Sequence, residues 1–229
     1  MRTVSIIGYG QIGRAVVEGI GNSEGWRLGQ VLTRKPVPEL ACHTNDPEVF
    51  FARRADLIIE AAGPGALRAL GVKALAAAPL WSVGAVAMAD AVFREQVEAV
   101  AQKSGYQLRL FACGMADMPL VARRLRITMR GPEIDSSWAG KLSEAVERWP
   151  DHLNTAVATA LNGPGIAATE LVMEGGGPET AHELNIEAEG DDVTWQRTIR
   201  FDLKPDATHP VAQMLLTELA REGRGWQGG

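Results

Sequence analysis

Thr3-Val4-Ser5-Ile6-Ile7-Gly8-Tyr9-Gly10-Gln11-Ile12-Gly13-Arg14 is the stretch on which the fold turns. Its first five residues are a short β-branched run, and after the glycines Ala15, Val16, Val17 and Ile20 recur at roughly helical spacing. The order is therefore strand, glycine turn, helix, with GxGxxG at the turn. In that context each glycine has its own mechanical role. Gly8 permits the tight turn, Gly10 lets a pyrophosphate approach the backbone, and Gly13 lets the helix lie close to the strand. Gln11 and Ile12 then sit in the first turn of the helix, whose free N–H groups favour an anion. An ordinary glycine turn is the bland alternative. The strand before it and the βα alternation after it favour a dinucleotide site.

Outward from this unit the pattern repeats. Further strands are expected at Leu28–Thr33, Asp56–Ala62, Leu80–Val83 and Gln107–Ala112, separated by helix-like or loop stretches. Such alternation predicts a parallel sheet with helices on both faces. Residues 66–77 are rich in Ala and Leu, and Asp90 is placed to cap a helix whose Val92, Phe93, Val97 and Val100 would face the sheet. After about Gly114 the pattern changes to a strand at Leu125–Met129, a Gly-Pro break, and helix-like stretches at Leu142–Trp149 and Leu153–Asn162, the latter started by Pro150-Asp151. Strands at Thr169–Glu174, Glu183–Glu189 and Thr194–Leu203 follow with glycine-rich turns between them, which argues for an antiparallel or mixed sheet. The amphipathic segment Val211–Glu222 is expected to return to the first domain, and 223–229 to fray. The fold class expected is α/β: a Rossmann dinucleotide-binding domain over 1–113 and 207–229, and a smaller α+β domain with a mixed or antiparallel sheet over 114–206.

Composition bounds the classes of function. The chain has 229 residues, 46% of them hydrophobic and 22% charged, which fits a globular protein and excludes a mostly disordered or collagen-like one. A net charge of -5, without a dense basic block, gives no general attraction to nucleic acid or to an anionic membrane. The uncharged stretch Ala74–Ala89 is shorter than the ~20 apolar residues of a membrane span. Cys42 and Cys113 form no CxxC pair and are read as free thiols. No secretory leader is evident at the N-terminus, so a cytoplasmic protein is expected. No Walker A loop, HExxH, GxSxG or paired-cysteine signature occurs, and a metal-free redox site is the simplest reading.

A site preferring NAD usually carries an acidic residue about 20 positions after the glycines, for the ribose 2′-hydroxyl. Here the second strand ends instead in Thr33-Arg34-Lys35. A guanidinium beside a hydroxyl suits a 2′-phosphate, so Thr33 and Arg34 point to NADP, with NAD left open and a solvated basic turn as the alternative. Among His43 in a polar loop, His152 at a helix start, His182 at a strand opening and His209 before Pro210, His182 is the best general acid/base candidate. By itself a histidine at a strand edge is more often structural. Asn154 reads equally as a helix-capping residue or as a holder of a carboxamide or carboxylate. Arg123, Arg124 and Arg126 read either as carboxylate binders or as a strand edge of alternating charge.

Taken together these stretches resemble the L-aspartate dehydrogenases over nearly the whole chain. GYGQIGR at 8–14, Leu57-Ile58-Ile59-Glu60-Ala61-Ala62 and Ser82-Val83-Gly84-Ala85 are similar to the family's opening and to its third and fourth strands. More specific is WAGKLSEAVERWPDHLNTAVATAL at 138–161, similar to the family's acidic helix, aromatic-proline and asparagine-led helix. Ala181-His182-Glu183 resembles the strand that bears the catalytic histidine. The resemblance implies His182 as the catalytic residue and a nicotinamide dinucleotide held by Gly8, Gly10, Gln11, Ile12, Gly13, Thr33, Arg34, Ala61, Ala62, Met115 and Asn154. It implies an amino or keto acid and ammonia as substrates, a homodimer built through the second domain's sheet, and an active site between the domains.

Two departures bear on the substrate. Where the family has a Ser-Gly-Ala-Ile-Gly-Gly type of loop, this chain reads Cys113-Gly114-Met115-Ala116-Asp117-Met118. Where the family commonly shows Asn-Pro-Lys-Thr-Ser, this chain reads His209-Pro210-Val211-Ala212-Gln213, without the lysine. A dicarboxylate needs two charge-assisted anchors. The leading expectation is interconversion of L-aspartate with oxaloacetate and ammonia by an NAD(P)-dependent oxidoreductase. The alternatives are another amino or imino acid as substrate, or a non-catalytic NADPH-binding protein.

Overall fold

The computed structural model describes residues 1–112, 122–177, 181–202 and 208–222. It divides into two compact units, Met1–Phe111 with Thr208–Gly229, and Ala112–Ala207. In the first unit the chain runs through β1 (Arg2–Ile7), α1 (Gln11–Ile20), β2 (Trp26–Leu32), β3 (His43–Thr44), α2 (Pro47–Phe51), β4 (Leu57–Glu60), α3 (Pro64–Ala77), β5 (Leu80–Ser82), α4 (Ala91–Ser104) and β6 (Leu108–Leu110). The strands lie in the order β3-β2-β1-β4-β5-β6, and every pairing is parallel. This is the doubly wound arrangement, in which the order reverses between β1 and β4 and leaves a crevice at their carboxyl ends.

Burial follows from that topology. A parallel strand covered on both faces is apolar throughout rather than alternating. Leu57, Ile58 and Ile59 are accordingly buried together, beside Val4, Ile6 and Val31. Glu60 ends the same run and is buried with it.

The structure corrects the sequence reading in places. The expected five-stranded sheet has six strands, because His43 lies not in a loop but in β3, paired to β2 through Val31. Val92 does not face the sheet: it is 63% exposed in the first turn of α4, where Asp90 caps the N–H groups of Val92 and Phe93, while Phe93 and Val97 are buried as expected.

The second unit contains β7 (Arg124–Gly131), β8 (Trp138–Lys141), α5 (Leu142–Arg148), α6 (Asn154–Leu161), β9 (Thr169–Gly175), β10 (His182–Glu189) and β11 (Thr194–Phe201). The sheet order is β11-β10-β7-β9-β8, mixed because β7 and β9 are parallel while the remaining pairs are antiparallel. Alternate residues Leu125, Ile127, Leu171, Leu184, Ile186 and Ala188 are buried, as are Leu142 and Ala145 of α5 and Ala156, Val157 and Ala160 of α6. The opposite face carries Arg124, Arg126 and Arg130 on β7, in register with Glu189, Glu187 and Glu183 on β10. Arg126 and Arg130 also stand beside Glu170 and Glu174 on β9. Arg124 and Arg126 thus lie on a central strand, not on a strand edge, and Arg123 pairs with Asp191 in the turn after β10. Pro150, Asp151 and His152 form a turn ahead of α6, so His152 is not at the helix start itself.

The chain re-enters the first unit with α7 (Pro210–Glu222), whose Val211, Ala212, Leu215 and Leu219 are buried. It packs on α1 at Gly19, where an added Cβ would lie 2.5 Å from Leu216 side-chain carbons. Trp26 Nε1–H donates to the Leu219 carbonyl at 3.0 Å, and Arg2 donates to the Glu222 carbonyl at 2.6 Å. No helix among the described residues is long and apolar enough to cross a membrane.

Candidate functional site

The glycine motif sits where β1 becomes α1. Gly8 takes φ +101°, a region that side chains with a Cβ rarely adopt, and its N–H donates to Leu32 at 2.8 Å. A Cβ at Gly8 would stand 2.7 Å from Ala62 Cβ, and one at Gly13 would stand 2.3 Å from the Gly8 carbonyl oxygen. Backbone from the β1 and β4 loops and the start of α1 is therefore in close contact. Gly10 is different: a Cβ there would meet nothing within 4 Å. Gly10 is also the N-cap of α1 and supplies no side-chain capping bond, so the first-turn N–H groups around Gln11 and Ile12 face an open cradle. The space that a Cβ at Gly10 would fill, together with those donors, fits a pyrophosphate.

Beside this cradle Tyr9, Thr33, Arg34, Lys35 and Val37 line an open pocket of about 540 Å³. Thr33 Oγ1 donates to the Lys35 carbonyl at 2.5 Å, which folds the turn and leaves the hydroxyl oxygen as an acceptor. Arg14 lies over the Tyr9 ring at 5.5 Å. The structure thus brings Gly8, Gly10, Gln11, Ile12, Gly13, Thr33, Arg34, Ala61 and Ala62 to one end of the first sheet.

Glu60, at the end of β4, carries no signal of its own in the sequence beyond closing an otherwise apolar strand with a carboxylate. It is 1% exposed, and its Oε1 accepts from the N–H groups of Ala62 and Gly63, each at 2.6 Å. Its Oε2 accepts from Ser82 Oγ–H at 2.5 Å. Burial pushes its carboxyl pKa up, and the bonds from Ser82, Ala62, Gly63 and Gly84 pull the other way.

In the second unit His182 opens β10. Its Nε2 lies 2.8 Å from Glu133 Oε2, and its ring stacks on Phe201 of β11, with centroids 5.0 Å apart and planes within 4°. The His182 side chain is 16% exposed and that of Glu133 55%. Glu133 thus sets a carboxylate beside one ring nitrogen, while the Phe201 ring fixes the plane of the imidazole. Glu133 is a further residue missed from sequence, since it follows Gly131-Pro132 in a loop with no motif of its own.

Asn154 is the first residue of α6, half-buried and engaged in contacts within the structure. Met115, with the rest of the altered loop at 113–118, lies outside the described residues. His209 accepts the Val211 N–H on Nδ1 at 3.1 Å and so closes the start of α7. Burial raises the pKa of the Cys42 thiol, against a smaller opposing effect of a backbone hydrogen bond. Among the described residues no group of three or more His, Cys, Asp or Glu side chains gathers as a metal site.

Known proteins share this geometry. The family described as "Homoserine dehydrogenase, NAD binding domain" matches residues 8–110, from the glycine turn through β6. An L-aspartate dehydrogenase of Ruegeria pomeroyi is 30% identical over 164 residues, covering 59% of this chain and 60% of the relative. Another, of Brucella anthropi, is 27% identical over an alignment covering 96% of this chain and 94% of the relative. Among solved structures, the aspartate dehydrogenase of Thermotoga maritima superposes over 100% of both chains with a TM-score of 0.80 at 18% identity, a likeness of fold. Fold and motif define a two-unit α/β chain whose Rossmann-like first unit is similar to an NAD-binding domain. Three relatives that carry the name L-aspartate dehydrogenase are thus similar to this chain, at 27–30% identity.

Proposed function

We propose that the protein is an NAD(P)-dependent L-aspartate dehydrogenase that uses NADP in preference to NAD. The observation that carries the reading is the Gly10 cradle at the β1–α1 turn, joined to the Arg34 pocket, in a chain whose relatives carry that name. In the reductive direction oxaloacetate condenses with ammonia and loses water to give the imine. A hydride then reaches the imine carbon and a proton its nitrogen, which yields aspartate. The bound nicotinamide dinucleotide supplies or accepts that hydride.

The chain's own residues bind, orient and move protons. The first turn of α1 would hold the pyrophosphate, and Arg34 would take the 2′-phosphate through charge-assisted bonds, with Thr33 fixing the turn through its bond to the Lys35 carbonyl. His182, with its plane set by Phe201 and Glu133 Oε2 2.8 Å from its Nε2, carries the proton traffic of carbinolamine formation and breakdown. Asn154, Ala61, Ala62 and Met115 complete the cofactor site in this reading. Met115, Asp117 and the lysine absent near Val211 motivate another amino or imino acid as the second reading. The named relatives favour aspartate, and His209 and Val211 have a structural use at the start of α7.

The protein acts as a homodimer through the open face of the second sheet. That face carries an arginine row on β7 flanked by glutamate rows on β9 and β10, so a two-fold related copy can set arginines against glutamates. A cytoplasmic setting suits the free thiol of Cys42.

The deciding experiment is the initial rate of NADPH and NADH oxidation with oxaloacetate and ammonium, each omitted in turn. Ammonium-dependent turnover, faster with NADPH, is expected. Equal turnover without ammonium, or turnover only with a different keto acid, overturns the assignment to aspartate.

A further inference from the structure

Glu60 presents an energetic puzzle. The three residues before it in β4 are buried and apolar, and a fourth apolar side chain would continue the strand without the cost of burying a carboxylate. What the carboxylate does instead is gather backbone. Oε1 takes the N–H groups of Ala62 and Gly63, both at 2.6 Å, and so curls the loop after β4 onto the end of its own strand. Oε2 takes the hydroxyl of Ser82, whose oxygen accepts the Gly84 N–H at 2.9 Å and thereby ties in the loop after β5. The two loops are close enough that a Cβ at Gly84 would stand 2.7 Å from the Gly63 carbonyl carbon. Ala62, fixed in this way, is the residue against which Gly8 packs, with 2.8 Å between its nitrogen and a Cβ built at Gly8. The loops after β1, β4 and β5, at the edge where the strand order reverses, therefore converge on one side chain.

We propose that Glu60 is a positioning residue for the cofactor. Its two oxygens set the Ala61-Ala62-Gly63 loop against Gly8 and the loop at Ser82–Gly84, and so preform the edge over which the dinucleotide lies. The residue acts through backbone and does not itself touch the ligand. The inference rests on the dinucleotide reading above and adds to it a residue that this reading does not use.

The property that matters is acceptor geometry rather than charge. Glu60→Gln keeps a carbonyl oxygen for the Ala62 and Gly63 N–H groups, whereas Glu60→Asp keeps the charge but is one methylene too short to reach them. The test compares wild type, Glu60→Gln, Glu60→Asp and Glu60→Ala as full chains by fluorescence titration with NADPH and NADH. Circular dichroism verifies that each is folded, and kcat and the amino-acid KM are measured at saturating cofactor.

Because a misplacement of about 1 Å can cost on the order of 100-fold, Asp and Ala should weaken cofactor binding by roughly 10- to 100-fold. Gln should recover most of that loss, and the amino-acid KM at saturating cofactor should stay close to wild type. If Glu60→Ala does not fold, the Asp and Gln variants carry the same comparison. Wild-type cofactor affinity in folded Glu60→Asp overturns the proposal, as does a Gln variant no better than Asp. Failure of the wild type to bind either dinucleotide would be a failure of the dinucleotide reading itself, and the proposal would fall with it.

Discussion

Gly13→Ala sets two effects of opposite sign against each other. Gly13 lies inside α1, where alanine is the better helix former by about 0.8–1.0 kcal/mol. Against this, the new Cβ would lie 2.3 Å from the Gly8 carbonyl oxygen and 3.0 Å from its carbon. The first distance is about 1 Å below ordinary contact, and the obstructing atom is backbone that Ala62 already confines on its other side. The helix must move away from the strand. Overpacking costs about 1–3 kcal/mol, and so short an approach to confined backbone belongs in the upper half of that range, so after the propensity gain a net loss of about 1–2 kcal/mol is expected. For a chain of this size that corresponds to a fall of roughly 2–8 °C in Tm. Displacement of the α1 N-terminus by about 1 Å should weaken cofactor binding more steeply, by up to about 100-fold.

Thermal unfolding and NADPH fluorescence titration measure the two effects separately. Gly10→Ala is the control, because its Cβ meets nothing within 4 Å among the described residues. That variant should keep its Tm and lose cofactor binding, since the methyl occupies the space left for the pyrophosphate. A Gly13→Ala protein with wild-type Tm and wild-type NADPH affinity would refute the close-approach argument. Unchanged binding in Gly10→Ala would refute the assignment of the cradle.

Three other perturbations have definite expected outcomes. Arg34→Ala should weaken NADPH binding by about 10- to 100-fold, the worth of a charged hydrogen bond, and leave NADH binding unchanged in parallel titrations. His182→Ala should retain cofactor affinity while kcat falls by about 10²–10⁴, and Glu133→Gln should lower kcat less; near wild-type turnover in stopped-flow or steady-state assays would remove His182 from its role. Burial raises the Glu60 pKa above its ordinary 4.5, so the folded chain binds this proton more tightly than the unfolded one, and the group's contribution is full below 4.5 and lost as pH rises through the folded value. Denaturant titrations across that range should therefore show Glu60→Gln gaining stability relative to wild type with rising pH, and a pH-independent difference would contradict the buried carboxylate.

Much of the first unit was legible because its signals are local. A β-branched run before GxGxxG, and apolar runs such as Leu57-Ile58-Ile59, report strand and turn within a few residues. β3 was invisible for the converse reason: Cys42-His43-Thr44 has no periodicity, and His43 becomes a strand residue only by pairing with Val31. β8 was also missed, since Trp138-Ala139-Gly140-Lys141 is a poor strand sequence that is defined by its pairing with β9. The α4 face was misjudged at Val92 because helical spacing alone does not say that the first turn stands clear of the sheet. In the candidate site, Gly8, Gly10, Gly13 and Arg34 are the residues that motif and offset single out in the sequence. The Glu133–His182 contact did not, because it joins a loop to a strand whose sequences carry no mutual signal. Glu60 reads in sequence only as the end of a strand, and its meaning lies in N–H groups that the folded loops alone bring within reach.

The return of α7 to the first unit has a consequence for how the molecule is made. Leu215 and Leu219 complete a core begun by β1, α1 and β2, and the Trp26 indole N–H donates to the Leu219 carbonyl. During synthesis the nascent first sheet therefore waits, with the surface that α7 will cover still open, while the whole intervening unit leaves the ribosome. The inserted unit, contiguous in sequence, has no such dependence and is free to fold before its host is finished. Newly made chains should accordingly be most exposed to chaperones and proteases around α1, and release of the final helix is the event that closes the host.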